Sequence, residues 1–391
     1  MGEFEFIDSI RKQFSVPEGF TGIGDDCAII PRGDGLETLV TKDMLVEGVH
    51  FLLDRISAYD LGWKSAAVNI SDIAAMGGTP VASFLSLALP SALIADGPWL
   101  NEFIRGYRDL STRFSCPLLG GDTTSSPDGL CIDVTVLGSA PAGHSVKRSG
   151  ALDGDLVCVS GYLGDSGAGL KLLLGAAPSA SRACAEVADG ESAGVCDEDS
   201  VGGGNGDSAG VSDCESVDVD DGNPVSVGDG GFAGFDDGCS AGGCDEDSVA
   251  DYLIRKHCRP VPRVEAGLAL AGMPGVHSMM DISDGIASDL RHILRASGLS
   301  ALVECASLPF SKELLAVSKL HDWDPLELAL TSGEDYELLF TISPESLGQV
   351  EQALKVCGCH CYIIGKCFSG AEPGHIEWSG TNRDFRGFRH F

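Results

Sequence analysis

Five short segments set aspartate beside glycine or hydroxyl residues, a combination suited to holding hard cations through oxygen. The first, Gly22-Ile23-Gly24-Asp25-Asp26, places two carboxylates side by side. Adjacent carboxylates repel unless a cation or hydrogen bonds neutralise them, although a simple Gly-Asp-Asp turn accounts for the same residues. The second, Thr41-Lys42-Asp43, lies in the apolar run LVTKDMLVEGVHF. Period-two alternation there puts Thr41 and Asp43 on one face and Lys42 on the other. Glu47 and His50 follow just beyond, the histidine reading more simply as a structural residue.

The third segment is WKSAAVNISDIAAMGG, where Ser65, Asn69 and Asp72 fall at i, i+4 and i+7 and share one helix face. A solvent face would favour Lys and Glu over short Ser, Asn and Asp. The fourth is Leu118-Leu119-Gly120-Gly121-Asp122-Thr123-Thr124, whose glycines let backbone approach a ligand closely. The fifth is Met280-Asp281-Ile282-Ser283-Asp284-Gly285, opening a helix. Helix N-capping by Ser283 or Asp284 explains one of its polar residues but not Asp281. Each segment alone is weak. Together they predict several magnesium ions held by carboxylates, and so a phosphate-rich substrate such as ATP.

These residues need a scaffold to position them. The patterning predicts helices over 3–14, 59–76, 99–114 and 284–296, and strands over 38–46, 81–89, 130–137, 301–305, 336–342 and 359–364. Alternating elements of this length indicate an α/β or α+β fold. We expect one domain over 1–146 and a second over 147–391, interrupted by an acidic insert at about 180–249. Between Glu186 and Asp247 there are 18 Asp and Glu and no Lys or Arg. The net charge of −32 therefore leaves −32 + 18 = −14 for the rest, ordinary for a cytosolic enzyme. The insert repeats SAGVCDEDSV, SAGVSDCESV and SAGGCDEDSV from Ser192, Ser208 and Ser240. With few large apolar residues it is expected to be disordered, and its spacing does not fit a calcium array.

No Lys/Arg cluster offers a nucleic-acid or anionic-membrane surface. The uncharged stretch Gly77–Ala95 contains Pro80 and Pro90 and reads as a turn and buried strand, not a membrane span. The N-terminus MGEFEFIDSIRK lacks the pattern of a signal peptide, so we expect a cytoplasmic protein whose fifteen cysteines are reduced. Gly138–Ser145 mimics a P-loop but has His144 where lysine is required. The turn carrying Gly161, Gly164, Gly167 and Gly169 reads as a close-packed turn, with phosphate binding as the alternative. In VCGCHCYIIGKC, Cys357, Cys359 and Cys361 should alternate along one strand face, a poor zinc spacing.

The segments GIGDDCA, TKDMLVEGVHF, KSAAVNISDIAAMGGTP, GGDTT, KRSGA, DYLIRKHCRPVPRV, DISDGIASDL, GEDYELLF and GFRHF, in this order, resemble the thiamine-monophosphate kinases. The resemblance covers nearly all the chain except the insert. It implies the fold of the aminoimidazole-ribonucleotide synthetase superfamily, with N-terminal sheets joining across the two-fold axis of a homodimer. It further implies direct transfer of the ATP γ-phosphoryl to thiamine monophosphate, giving thiamine diphosphate. By position it assigns Asp26, Thr41, Lys42 (through its backbone carbonyl), Asp43, Asp72, Asp122, Asp281 and Asp284 to magnesium. Gly121, Asp122, Arg148 and Ser283 fall to the nucleotide, and His50, Glu334 and Phe388 to the thiamine portion. Asp43, Asp72, Asp122 and Arg148 would carry catalysis. Two departures stand out: Lys42 replaces an expected Thr or Ser, and the insert replaces a short connection. The rival readings are another ATP-using synthetase of the superfamily and a non-enzymatic acidic cation-binding or interaction protein.

Overall fold

The computed structural model describes residues 2–175 and 246–387. Most of the acidic insert, with its repeats, its expected disorder and the calcium question, lies outside the described residues, as does Phe388.

The first sheet contains β1 (Ala28–Pro31), β2 (Leu36–Val46), β3 (Thr79–Pro90), β4 (Leu118–Ser126) and β5 (Cys131–Pro141) in the order β1-β2-β5-β3-β4. Only the β3–β4 pair is parallel. Four helices accompany it: α1 (Glu3–Arg11), α2 (Ala58–Ala75), the short α3 (Ser91–Ile94) and α4 (Gly97–Arg113). Leu39 and Leu45 of β2 and Ile132, Val134 and Val136 of β5 join Ile70 and Ile73 of α2 in one core. In β5 every second residue is buried, as a strand covered on one face requires. Ser57 caps α2 by accepting the Asp60 N–H, and Asp96 caps α4 in the same way from Trp99.

The approach of α2 to α4 depends on two reciprocal glycines. A Cβ on Gly62 would lie 1.9 Å from the Phe103 carbonyl oxygen, and one on Gly106 would lie 1.9 Å from that of Tyr59. A Gly106→Ala substitution gains helix propensity of about 1 kcal/mol. Forcing the helices apart should cost about 1–3 kcal/mol or more, so its thermal midpoint should fall. An unchanged or raised midpoint in a melting experiment would contradict the close crossing.

The second sheet contains β6 (Leu156–Val159), β7 (Val276–Asp281), β8 (Ser300–Glu304), β9 (Leu338–Ile342), β10 (Tyr362–Phe368) and β11 (Ile376–Ser379) in the order β11-β8-β10-β6-β9-β7. Its helices are α5 (Asp165–Gly175), α6 (Glu246–Cys258), α7 (Val264–Ala271), α8 (Ile286–Ser297), α9 (Lys312–His321), α10 (Pro325–Thr331) and α11 (Leu347–Val356). Leu339 packs with α8, whereas Leu338, Phe340 and Ile342 pack with α7 and α11. This is why LLFTI is a continuous apolar run: β9 is covered on both faces. The helices flanking residues 176–245, α5 and α6, pack so closely that a Cβ on Gly169 would meet the Leu253 carbonyl oxygen at 2.1 Å. Helix α6 begins at Glu246, within the last residues assigned to the insert.

Two local expectations are corrected. Cys357 caps α11 and β10 begins only at Tyr362, so Cys357, Cys359 and Cys361 do not share a strand face. The N-cap of α8 is Gly285 at φ 94°, neither Ser283 nor Asp284, because the chain turns there through a conformation that favours glycine.

Candidate active site

Helix α2 is the element that gathers the site, because it packs on β2, β3 and β5 of the first sheet and on β7 of the second. Its polar stripe faces inward: Ser65 and Asn69 have no exposed surface. Ser65 bonds back to the Leu61 carbonyl within the helix. Asn69 accepts the Asp43 N–H at 3.1 Å through Oδ1. Strand β1 covers β2 only from Glu37 to Val40, so beyond it the β2 backbone takes a side-chain partner. One turn further along α2, Asp72 accepts a hydrogen bond from the Thr41 hydroxyl. Ser71 donates to Asp281 at 2.5 Å, at the end of β7.

Carboxylate oxygens of Asp26, Asp72 and Asp281 consequently lie within 4.8 Å of one another, the single such group of potential ligands among the described residues. Asp43 stands close enough for its carboxylate and that of Asp72 to act on each other electrostatically. Arg148 secures the Asp26 end, its Nε and Nη2 donating to Oδ1 at 3.1 and 2.5 Å. The Arg148 N–H donates to Asp25 Oδ1 at 2.8 Å. The second Asp26 oxygen, Oδ2, is buried and accepts no hydrogen bond. Burial raises the pKa of Asp26, Asp43, Asp72 and Asp281, and neighbouring carboxylates push Asp43, Asp72 and Asp281 further up. Burial likewise lifts Asp25 to about 6. A buried oxygen without a partner, inside a group of converging carboxylates, fits a divalent cation with oxygen preference.

The remaining predicted residues fall in three places. Lys42 is on the opposite face of β2, as alternation requires, and pairs with Asp133. Gly121 and Asp122 lie on the edge strand β4, in register with Leu85 and Ser86. Asp122 is exposed there and accepts the Thr123 N–H, outside the carboxylate group. Ser283 and Asp284 precede α8. The Ser283 carbonyl accepts the Glu334 N–H at 2.8 Å, and the Asp284 N–H donates to Asp289 at 3.2 Å. His50 Nδ1 accepts the Val46 N–H at 3.0 Å, and its ring acts electrostatically on Glu334. Glu334 sits in the Gly333–Tyr336 turn, where Glu334 and Tyr336 both hold positive φ, 55° and 49°. Non-glycine residues held this way concentrate at functional sites.

The Gly161–Gly169 turn is occupied from within. The Asp335 carboxylate accepts the N–H groups of Gly164 at 2.8 Å and Ser166 at 3.2 Å, filling the place a phosphate could take. An open cavity of about 420 Å³ instead lies beside the Gly22–Asp25 loop, with Arg11 and Lys147 on its walls.

Sequence reasoning missed Lys64 and His257. Lys64 is fully buried on α2 and its Nζ lies 3.0 Å from Glu334. The signal was present: Lys64 is the single charge between Leu61 and Ser71. His257, buried on α6, carries no comparable mark.

Residues 24–140 match the N-terminal domain of AIR synthase related proteins, and residues 240–376 match the C-terminal domain. The thiamine-monophosphate kinase of Salmonella typhimurium (strain LT2) is 33% identical, over 100% of this chain and 98% of that protein. That of Haemophilus influenzae (strain Rd) is 34% identical, over 94% and 89%. Among solved structures, AaThiL complexed with AMPPCP and TMP superposes with a TM-score of 0.72 at 28% identity, covering 100% of this chain and 97% of that one. The fold and paired domains are thus those of the AIR synthase related class. Within it, this chain belongs to the thiamine-monophosphate kinase family.

Proposed function

We propose that this protein transfers the γ-phosphoryl group of ATP to thiamine monophosphate, forming thiamine diphosphate. The observation that carries the reading is the convergence of Asp26, Asp72 and Asp281 around the unpartnered Asp26 oxygen. The related structure complexed with AMPPCP and TMP supports both substrates. Asp26, Asp43, Asp72 and Asp281, with Thr41, Asp284 and the Lys42 carbonyl, would hold magnesium ions. Bound there, the ions would neutralise phosphate charge and polarise phosphoryl oxygens. Asp122 and Gly121 would serve the nucleotide from β4, with Ser283 and Arg148. His50, Glu334 and Phe388 would receive the thiamine portion.

The chain's own groups have little proton chemistry to perform, because the acceptor phosphate is already ionised. Their work is positioning and electrostatic stabilisation of in-line transfer. Arg11 and Lys147 add positive charge to the cavity beside the Gly22–Asp25 loop, which favours a polyphosphate there. We divide the chain near residue 146, between the last strand of the first sheet at Pro141 and the first of the second at Leu156. A homodimer is supported by the edge strand β4, exposed almost throughout with Leu118 and Leu119 on it, and by exposed Val81 and Phe84 on the neighbouring β3. A cytoplasmic site of action is supported by ten described cysteines, all free thiols and seven of them buried.

The test is thiamine diphosphate formation by the purified chain with ATP, magnesium and thiamine monophosphate, free thiamine serving as the control acceptor. Product from the monophosphate alone, lost on chelation, is the expected result. No product from a folded dimer would reject the reading. Joining α5 to α6 by a short linker in place of residues 183–238 should leave turnover within about twofold, since packed helices need only 2–8 connecting residues. Loss of all activity from that folded variant would favour the interaction-protein alternative.

A further inference from the structure

Lys64 has no exposed surface, and an ammonium buried alone carries a large desolvation penalty. Its Nζ lies 3.0 Å from both carboxylate oxygens of Glu334 and 3.4 Å from Nε2 of His257. An ammonium offers only donors, so Nε2 must accept and the imidazole proton sits on Nδ1. From there it reaches Ser166 Oγ at 3.1 Å and Glu334 Oε2 at 3.3 Å. Burial, aided by the charge of Lys64, brings the His257 pKa down to about 3, so the ring is neutral. Burial opposes ionisation of Glu334, but the charge and hydrogen bond of Lys64 outweigh it and its pKa falls below the usual carboxylate value.

The two faces of Glu334 therefore differ. Oε2 is shared by Lys64 and His257, while Oε1 meets Lys64 and keeps an accepting lone pair. The side chain is 25% exposed although Lys64 is fully enclosed. The backbone is fixed as well, Glu334 N–H donating to Ser283 and Tyr336 N–H to Ile282. We propose that Lys64 and His257 are positioning residues of the thiamine subsite, clamping Glu334 so that Oε1 faces an N–H donor on the heterocyclic part of thiamine monophosphate. Three elements converge for this purpose: α2 brings Lys64, α6 brings His257, and the turn before β9 presents Glu334. The proposal rests on the part of the proposed function in which Glu334 meets thiamine monophosphate, not on its phosphorylation.

The test compares Lys64→Met and His257→Gln with the full-length wild type, measuring turnover and calorimetric binding of thiamine monophosphate. Lys64→Met should weaken thiamine monophosphate binding and raise its KM at least tenfold, with KM for ATP within twofold. His257→Gln should shift the same quantities three- to tenfold. In Lys64→Met/Glu334→Gln, the second substitution should cost less than it does in the wild type. Unchanged binding of thiamine monophosphate by folded variants, or equal rises in both KM values, would overturn the positioning role. If Lys64→Met does not fold, His257→Gln decides by the same criteria. A wild type that binds thiamine monophosphate without turning it over would reject the kinase reading alone. A wild type that neither binds nor converts it would reject both.

Discussion

Asp72→Asn should lower kcat by about 10²–10³-fold at saturating magnesium, the scale of losing one preorganised electrostatic group, and should at the same time raise the melting temperature of the metal-free protein. Asp72 stands among Asp26, Asp43 and Asp281 and accepts the Thr41 hydroxyl. Its carboxylate is repelled by all three neighbours, and burial makes that repulsion expensive. Asparagine keeps the shape and the acceptor for Thr41 but removes the charge. Each kcal/mol of relieved repulsion should raise the midpoint by about 1–2 °C, because the ~2–4 °C typical of 150–250 residues shrinks in a longer chain. Steady-state kinetics and metal-free calorimetry check the two halves. A variant with half the wild-type turnover would dismiss Asp72 as a ligand.

Arg148→Met should lose activity on a similar scale, about 10²-fold or more in kcat/KM for ATP, but with stability moving the other way. Arg148 places two N–H groups on one oxygen of Asp26, a pair in which the carboxylate is fully enclosed. Breaking such a pair from one side costs about 3–5 kcal/mol because the remaining charge is left without its counterion. Arg148→Lys restores charge without the planar donor set and should recover only part of either loss. An Arg148→Met variant as stable as the wild type would mean that the ion pair does not form in solution. Opposite stability effects with the same catalytic direction separate a cation ligand from its counter-charge.

Much of this site is visible in local patterns. The alternation of LVTKDML places Thr41 and Asp43 inward and Lys42 outward, as the structure has them. The Ser65–Asn69–Asp72 spacing marks a working helix face, although Ser65 turns out to serve its own helix. What local patterns miss is contact between distant segments. Lys64 meets His257 across 193 positions and Glu334 across 270, and no spacing rule reaches that far. The cysteines of VCGCHCY failed for a different reason: alternation is meaningful only inside a strand, and Cys357 ends a helix. Asp122 was legible as a glycine-flanked carboxylate, but its exposed place on β4 followed only from the strand order.

The carboxylate group also has a thermodynamic side. Asp26 and Asp72 belong to the layer of the first sheet, whereas Asp281 ends a strand of the second. A cation shared among them would join two hydrophobic cores that otherwise meet mainly along α2. Anything bound only by the folded state stabilises it by about 2.7 kcal/mol at a hundredfold excess over Kd. Here that stabilisation would be available only while both layers are folded together. The cooperativity of unfolding would then itself depend on magnesium concentration, with one transition when the site is filled and a broader or divided one when it is stripped.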